Sequence, residues 1–279
     1  MGIKYISRNR IPPQICRILG PSYSIIIPHH NTPDLLKRCL LSIPKRDDVQ
    51  VIVVDDKSDD SYLPAVRKIQ ECFSPWEFIY LTEGKGAGHA RNVGIDYSKG
   101  DWLLFADSDD YFVSDFSSLL DRYYSSEEDI IYFRNLSVLS DDTAIVSHRD
   151  DWVIRLFDQY SKDHNDKRIR CNHCVPWGKI IRRSYIIDYH IRFDEVMYSN
   201  DVMFALLSGC SAKSVAVINR PIYVLTEREG SLTSQFASKP KELAIRTDVC
   251  FRAYQYIQTL GEPYISLFSC MALSSYLAK

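Results

Sequence analysis

Short apolar runs and longer segments with helical periodicity alternate along the first half of the chain. Four apolar runs have the length of buried strands: 22–27, 49–54, 78–81 and 102–106. Three segments between them carry apolar residues at helical spacing: 32–43, 61–73 and 90–97. The first begins with Thr32 and Pro33, a capping residue followed by proline at the first helical position. This alternation predicts an α/β fold, with a mostly parallel, doubly wound sheet flanked by helices.

The pattern is less regular after about residue 125. Strands are predicted at 129–133, 215–218 and 222–225, and helices at 202–207, 241–260 and 262–279. A polar tract at 140–151 predicts a loop, whereas 152–200 is mixed and predicts no single element. The last two helices form a C-terminal extension to the sheet. No helix-end signal precedes residue 279, as would be expected of a truncated chain.

Carboxylates follow two of the predicted strands. Strand 49–54 ends in Asp55 and Asp56, and strand 102–106 ends in Asp107, Asp109 and Asp110. In an open α/β sheet, ligands bind beyond the carboxyl ends of the strands, so both groups lie along one binding edge. Three adjacent acids repel one another unless a cation lies among them. Oxygen ligands without a nearby His or Cys favour Mg²⁺ or Mn²⁺ over zinc, although a solvated acidic turn is the alternative.

The two acid groups together indicate a ligand. A carboxylate at Asp55 can accept hydrogen bonds from the N–H of a base or from a ribose hydroxyl. The second group can hold a metal across a diphosphate. A nucleoside diphosphate is therefore the predicted ligand.

A glycine-rich segment supports a competing interpretation. Gly84, Gly86 and Gly88 follow a strand and precede a helix, an arrangement typical of a dinucleotide-binding loop. Their G-x-G-x-G spacing departs from G-x-G-x-x-G, and the first strand lacks the fingerprint, so NAD binding is the less favoured hypothesis. Arg91, near the start of the following helix, can contact phosphate or uracil oxygens, or pair with a local carboxylate.

Composition and charge narrow the functional class. The formal net charge is −2 with 25% charged residues, which predicts no general attraction to nucleic acid. No stretch approaches the roughly 20 apolar residues of a membrane span, and no signal-peptide core begins the chain. Eight cysteines, several in apolar surroundings, indicate reduced thiols and a cytoplasmic location. Cys171 and Cys174 form a C-x-x-C, but the second ligand pair of a zinc site is missing.

The first 21 residues are basic and partly apolar. They carry Lys4, Arg8, Arg10 and Arg17 among several isoleucines. Such an arm can touch an anionic membrane surface, although Pro12 and Pro13 interrupt any long amphipathic helix. A simple lead-in is the favoured interpretation, and peripheral membrane contact is the alternative.

Several motifs between about residues 22 and 233 resemble, in their order and spacing, those of one known family. They are Ile25-Ile26-Ile27-Pro28 with Asn31, Val53-Val54-Asp55-Asp56-Lys57-Ser58, Gly88-His89-Ala90-Arg91-Asn92-Val93-Gly94, Asp107-Ser108-Asp109-Asp110, Trp177-Gly178-Lys179, Asn200-Asp201 and Arg228-Glu229-Gly230-Ser231. On these motifs the chain resembles the family 2 glycosyltransferases of the Rossmann-like GT-A fold. The resemblance divides the chain into a lead-in (1–21), a nucleotide-sugar-binding half (22–115), an acceptor-binding half (116–235) and C-terminal helices (236–279).

The resemblance implies a UDP-sugar site along the sheet edge. Its donor-binding residues would be Pro28, Asn31, Asp55, Asp56, Arg91, Asp107, Ser108 and Arg228. Asp55 or Asp56 would bind the uracil, and Arg91 would support the nucleotide. Asp109, together with Asp107, would bind Mn²⁺ or Mg²⁺ bridging the diphosphate, although Asp107 could face the ribose instead.

The resemblance also implies an inverting mechanism. Asp201 would act as the general base that deprotonates an acceptor hydroxyl, which attacks the anomeric carbon opposite the departing UDP. Trp177 would be a platform on the acceptor side. Two positions depart from the family pattern: His30 replaces an aromatic residue before Asn31, and Asn200 replaces a glutamate before the base.

The Asp-x-Asp-Asp motif is similar to that of bacterial transferases that build O-antigen or capsule. The acceptor would then be a glycan, or a sugar on undecaprenyl diphosphate met at the inner face of the plasma membrane. Two other classes remain as alternatives. A sugar nucleotidyltransferase would carry a glycine-rich basic loop after the first strand, where Pro28-His29-His30-Asn31 stands instead. A non-catalytic nucleotide-sugar-binding protein would have no reason to retain all of Asp55, Asp107, Asp109 and Asp201.

Overall fold

One sheet of eight strands organises the computed structural model of the chain, which describes residues 20–228 and 240–269. The strands are β1 (Tyr23–His29), β2 (Val49–Asp55), β3 (Glu77–Tyr80), β4 (Trp102–Phe105), β5 (Tyr111–Phe112), β6 (Ile130–Leu139), β7 (Lys179–Arg182) and β8 (Val215–Glu227). The helices are α1 (Pro33–Leu41), α2 (Leu63–Cys72), α3 (Ala87–Tyr97), α4 (Phe116–Tyr123), α5 (Asp151–Asp163), α6 (Asp166–Asn172), α7 (Arg183–Asp188), α8 (Val202–Ser211), α9 (Pro240–Leu260) and α10 (Tyr264–Leu267). The strand order is β3-β2-β1-β4-β7-β6-β8-β5.

The first four strands confirm the predicted alternation of strand and helix. β1 pairs in parallel with β2 and β4, and β2 pairs in parallel with β3. The connections between these strands contain α1, α2 and α3. Every residue of β1 and β2 is buried, because a parallel sheet is covered on both faces. This burial explains why both strands are almost continuously apolar rather than alternating.

The second half of the chain makes the sheet mixed. β7 lies between β4 and β6 and is antiparallel to both, whereas β6 and β8 are parallel. β5 is antiparallel to β8. All pairs from β3 to β4 are therefore parallel, as predicted, whereas the pairs from β4 to β5 are antiparallel except for β6 and β8. The sheet also continues across the predicted boundary at residue 115, so the division into two halves remains a prediction about function.

The two runs predicted as separate strands, 215–218 and 222–225, belong to one strand, β8. Asn219, Arg220 and Pro221 between them have the composition of a turn. Instead, the pairing of β6 with β8 shifts register around Arg134 and then continues to the end of both strands. Such an irregularity leaves some residues of β8 without a partner on β6. Pro221 fits there because it has no N–H to donate to the neighbouring strand.

The C-terminal helices form a second apolar cluster beside the sheet. α9 confirms the helix predicted over 241–260. Of the helix predicted over 262–279, the described part contains α10, and residues 270–279 lie outside the described residues. The cluster joins α6, α8 and α9 through six buried side chains: Cys171, Val202, Leu206, Val249, Ala253 and Ile257.

Some predictions concern residues outside the described ranges. They include most of the basic lead-in, with its membrane contact, and Glu229-Gly230-Ser231 of the last motif. Within the described ranges, no helix has the length and apolar composition needed to cross a bilayer. Among the cysteines that the structure describes, Cys39, Cys72, Cys171 and Cys210 are free thiols.

Close packing of α3 gives a stability prediction. A Cβ at Gly88 would overlap the main-chain oxygen of Asp194, whereas a Cβ at Gly84 would meet its nearest neighbour, the oxygen of Asp56, at 3.4 Å. We expect Gly88→Ala to lower the free energy of unfolding by about 1–3 kcal/mol. Gly84→Ala, the matched control, should change it by less than about 0.5 kcal/mol. Urea denaturation measures both, and equal effects would contradict the packing described.

Candidate active site

A cavity of about 620 Å³ lies beyond the carboxyl ends of β1, β2 and β4. Eight of the residues predicted for the site line it: Pro28, Asp56, Arg91, Asp107, Ser108, Asp109, Asp201 and Arg228. The other predicted residues, Asn31, Asp55 and Trp177, do not line it. The sheet therefore brings together side chains from positions that are far apart in the sequence.

The three carboxylates after β4 lie together at the cavity wall. Oxygen atoms of Asp107, Asp109 and Asp110 lie within 4.8 Å of one another. Asp110 is buried, and its Oδ1 accepts a hydrogen bond from the N–H of Thr226 at 2.7 Å. Burial and the neighbouring charges of Asp109 and Asp107 raise the pKa of Asp110 well above its ordinary value. The oxygen set fits a hard divalent cation, which would offset this repulsion. We call these three residues the acid cluster.

Arginine side chains approach the acid cluster from different elements. Arg91 of α3 donates to Asp107 Oδ1 at 2.5 Å and to Asn200 Oδ1 at 2.8 Å. Arg228 Nε lies 3.4 Å from Asp109 Oδ2, just after β8. Arg38 of α1 donates to the main-chain oxygen of Asp109. Arg91 thus pairs with a local carboxylate and also lines the cavity, so the two interpretations considered for it are compatible.

Asp55 is committed to the fold rather than to the cavity. Its carboxylate accepts hydrogen bonds from His29 Nδ1 (2.7 Å), from the Ser58 hydroxyl (2.7 Å) and from the Ser58 N–H (2.8 Å). Burial alone would raise the pKa of Asp55, but the hydrogen bonds from His29 and Ser58 outweigh it and lower the pKa. Asn31 has a similar role, since it exchanges two 2.8 Å hydrogen bonds with Asp59. Both residues join the loop after β1 to the loop after β2.

Asp56, by contrast, lines the cavity. Its carboxylate accepts hydrogen bonds from the main-chain N–H groups of Lys85 (3.0 Å) and Gly86 (2.7 Å). The glycine-rich segment therefore directs these two N–H groups at a carboxylate of the protein, not at a phosphate. Gly86 has a φ of +91°, a conformation that suits glycine at this turn. Of the two acids after β2, Asp56 is the one placed to meet a ligand.

Asp201 precedes the first turn of α8 and faces the cavity. No side-chain cap bond joins its carboxylate to α8. Helix capping, the alternative role for an acid at this position, is therefore not its function here. Burial raises the pKa of Asp201 above its ordinary value, although the Arg91 guanidinium opposes the shift. A carboxylate with a raised pKa is a stronger base than an exposed one.

Part of the cavity lining comes from the helices rather than from the sheet. It includes Trp152 of α5, Asn172 of α6, and Phe268 and Ser269, which follow α10. Asn172 Nδ2 donates to the carbonyl of Leu267 at 3.0 Å, and Asn172 Oδ1 accepts from the N–H of Ser269 at 2.7 Å. These two hydrogen bonds fasten the segment after α10 to the cavity wall.

The sequence profile of glycosyl transferase family 2 matches residues 24–189, which is more than half of the chain. The chain belongs to glycosyl transferase family 2. A putative glycosyltransferase of Bacillus subtilis, EpsH, is 24% identical over 226 residues, covering 78% of this chain and 64% of EpsH. The poly(ribitol-phosphate) beta-N-acetylglucosaminyltransferase TarS of Staphylococcus aureus is 25% identical over 230 residues, covering 79% of this chain and 38% of TarS. The chain thus spans less than two thirds of either relative.

Solved structures show that the fold is GT-A. S. aureus TarS 1–349 in complex with UDP-GlcNAc superposes with a TM-score of 0.61 at 22% identity, covering 82% of this chain and 66% of that chain. The mannosyltransferase PcManGT from Pyrobaculum calidifontis, in complex with GDP-Man and Mn²⁺, gives a TM-score of 0.59 at 17% identity, covering 94% and 76%. The predicted fold class is confirmed by these neighbours.

Two residues of the family 2 motif around Trp177 are buried beneath the cavity. The Trp177 ring stacks on Tyr223 at a centroid distance of 6.0 Å and is 6% exposed. Lys179 Nζ donates to the carbonyl of His173 at 2.8 Å, and burial lowers the pKa of Lys179 to about 7. A platform role for Trp177 is not favoured, because its ring faces the core. Trp152, from the segment that gave no clear prediction, lines the cavity instead.

Several residues of the site were not predicted from the sequence. Arg38 belongs to the polar face of a helix, Arg149 to a polar tract, and Asn172 to an apparent metal motif. His30, which departs from the family pattern before Asn31, also lines the cavity. Nothing in the local sequence distinguishes these side chains from exposed ones, because their neighbours come from distant parts of the chain.

The hydrogen bonds of Asp55 give a second prediction. Asp55→Asn should lower the free energy of unfolding at neutral pH by about 1–3 kcal/mol, because an amide N–H₂ would face the donors of His29 or Ser58. The folded-state pKa is lowered, so the stabilisation is present above the unfolded pKa of about 3.9 and is lost as pH falls through the folded pKa.

The difference between wild type and Asp55→Asn should therefore be largest near neutral pH and shrink below about pH 4. Urea denaturation across this pH range measures it. Asp60→Asn, at an exposed position in the same loop, is the control and should change stability by less than about 0.5 kcal/mol. A difference that does not vary with pH would contradict the role given to the Asp55 charge.

Proposed function

We propose that the protein is an inverting glycosyltransferase that transfers a sugar from a UDP-sugar to an acceptor hydroxyl, with Mn²⁺ or Mg²⁺ at the acid cluster. One observation carries the proposal: the carboxylate of Asp201, which caps no helix, lines the same cavity as Asp107 and Asp109 of the acid cluster. A cation site and a base within one cavity are the parts this reaction requires. The family assignment favours this function over a sugar nucleotidyltransferase or an NAD-binding protein.

The donor would lie across the carboxyl ends of β1, β2 and β4. Asp56 is the acid placed to accept a hydrogen bond from the uracil N–H, and Pro28 and Ser108 line the same wall. Arg91 and Arg228 supply positive charge for the diphosphate. The UDP-GlcNAc complex of TarS supports a UDP-sugar, whereas PcManGT holds GDP-Man, so the experiment below compares both nucleotides.

Asp109 and Asp107 would hold the cation, with Asp110 buried behind them. A bound Mn²⁺ or Mg²⁺ supplies electrostatic stabilisation of the charge that grows on the departing diphosphate. Arg228, 3.4 Å from Asp109, would add to this stabilisation from the end of β8. In this arrangement the chain orients the diphosphate and excludes water from it.

Asp201 would take the proton from the acceptor hydroxyl. The oxygen then attacks the anomeric carbon from the face opposite UDP, so the configuration at that carbon is inverted. Arg91 stands between Asp201 and the acid cluster, and its hydrogen bonds to Asn200 and Asp107 fix the spacing of the two groups. Asn200, where the family has a glutamate, accepts one of these bonds and leaves the base as the charged member of the pair.

We propose a bacterial surface polysaccharide, of the O-antigen or capsule type, as the product. The acceptor would be a glycan or a sugar on undecaprenyl diphosphate, reached at the cytoplasmic face of the membrane. TarS, named for its action on poly(ribitol phosphate), supports an extended surface polymer as the class of acceptor. The helical part of the cavity lining, with Trp152 and Asn172, is the place where this acceptor would bind.

Calorimetric titration of UDP tests the donor and cation assignments. In the presence of Mn²⁺, Asp109→Ala should weaken UDP binding at least about tenfold, because the cation loses a charged ligand. Chelation with EDTA should reduce wild-type affinity to a similar extent. Asp141→Ala, an exposed carboxylate in the loop after β6, is the control and should bind UDP like wild type. GDP that binds more tightly than UDP, or no binding of UDP, would overturn the donor assignment.

The role of Asp201 is tested by separating donor binding from turnover. Asp201→Asn should retain UDP affinity within about threefold and lower the transfer rate by about 10²–10⁴-fold. Release of UDP from a UDP-sugar in the presence of acceptor measures the rate, and NMR of the product gives its anomeric configuration. Asp188→Asn, at the exposed end of α7, is the control. Equal loss of binding and transfer would contradict the base role, as would a retained configuration.

A further inference from the structure

Arg149 lies on a hairpin that returns from β6 towards the cavity. The N–H of Ser147 donates to the carbonyl of Ser137 at 2.9 Å, and the hydroxyls of these two serines are also hydrogen-bonded. Val138 and Val146 form a β-bridge in the same hairpin. Arg149 lies two residues after Ser147 and just before Asp150, the N-cap residue of α5, and it lines the cavity. Its position is therefore set by main-chain pairing rather than by a loose loop.

A single hydrogen bond fastens the Arg149 guanidinium. Nη1 donates to the carbonyl of Thr226 at 2.6 Å, and no other described residue accepts from the remaining N–H groups. Thr226 is the residue that also holds the acid cluster: its N–H donates to Asp110 Oδ1 and its hydroxyl donates to the Asp109 carbonyl, both at 2.7 Å. Thr226 thus links Arg149 to the acid cluster, and the other N–H groups of Arg149 have no acceptor within the described ranges.

Two other arginines at the acid cluster are already engaged by the protein. Both Nη atoms of Arg91 are bonded, to Asn200 and to Asp107. Arg38 donates to Asp109, Ser140 and Thr226. Arg149 differs from Arg38 and Arg91 because only its Nη1 has a hydrogen-bond acceptor within the described ranges. An anionic ligand with several oxygens, placed beside Asp109, would satisfy that fork.

We propose that Arg149 binds the β-phosphate of the UDP donor, opposite the cation held by Asp109. The proposal rests on the function proposed above and adds a residue to it. The charge of a diphosphate exceeds what one divalent cation neutralises, and guanidinium forks bind phosphate oxygens through paired hydrogen bonds. The Thr226 carbonyl aims the guanidinium before the donor arrives, so little side-chain entropy is lost on binding.

A comparison of UDP with UMP tests the proposal, since UMP lacks the β-phosphate. Titrations in Mn²⁺ would use wild type, Arg149→Gln and Arg149→Lys. Arg149→Gln should weaken UDP binding by about tenfold or more and change UMP binding by less than about threefold. Arg149→Lys, which keeps the charge but not the fork, should give an intermediate loss for UDP. Arg155→Gln, at an exposed position on α5, is the matched control and should bind both nucleotides like wild type.

The other possible results of these titrations would contradict the proposal in different ways. Equal losses for UDP and UMP, or unchanged binding of both by Arg149→Gln, would overturn the β-phosphate contact. A raised acceptor KM with unchanged UDP affinity would assign Arg149 to the acceptor and also overturn it. Failure of wild type to bind UDP would overturn the proposed function itself. Unfolding curves that match wild type establish that a loss in either variant reflects the missing contact.

Discussion

Mutual repulsion among three carboxylates at the end of one strand is the constraint on which the site depends. Asp107, Asp109 and Asp110 follow β4, and Arg91, Arg228 and the Thr226 N–H offset the proximity of their carboxylates, while β8 also fixes the main chain that carries them. The Tyr223 hydroxyl accepts the N–H of Asp107 at 2.7 Å, while Thr226 donates to both neighbouring acids. Both supporting residues belong to β8. The mixed half of the sheet therefore helps to hold the acids that follow β4 in place.

The end of β2 carries two adjacent acids, Asp55 and Asp56, one of which holds two loops together while the other lines the cavity. Asp55 turns inward, where His29 and Ser58 occupy its oxygens, and it closes the loops of β1 and β2 on each other. Asp56 turns towards the cavity, where two main-chain N–H groups position its carboxylate. Residues next to each other in an extended chain face opposite ways, so neighbouring identical side chains acquire different environments. The hydrogen bonds of Asp55 thus help to fix the main chain from which Asp56 projects.

The sequence was informative where structure is local and uninformative where it is not. Apolar runs gave β1, β2 and β4, because strands buried on both faces must be continuously apolar. β7 has only four residues and is held by pairing with β4 and β6 on either side, so no local sequence pattern predicted it. The acid cluster could be predicted, since its members are adjacent in sequence. Arg38, Arg149 and Asn172 could not, because each acts on residues more than 70 positions away.

The two hydrogen bonds of Asn172 tie the segment carrying Leu267 and Ser269 to the cavity lining. The same segment and α9 pack in the apolar cluster that also contains Val202 and Leu206 of α8. Neither the acid cluster nor Asp56 uses a residue from this region for support. The C-terminal segment therefore contributes to the shape of the cavity through Phe268 and Ser269, whereas the hydrogen bonds of Asp56 and of the acid cluster come from elsewhere in the chain. Changes in this segment would reshape one part of the cavity and leave those hydrogen bonds in place.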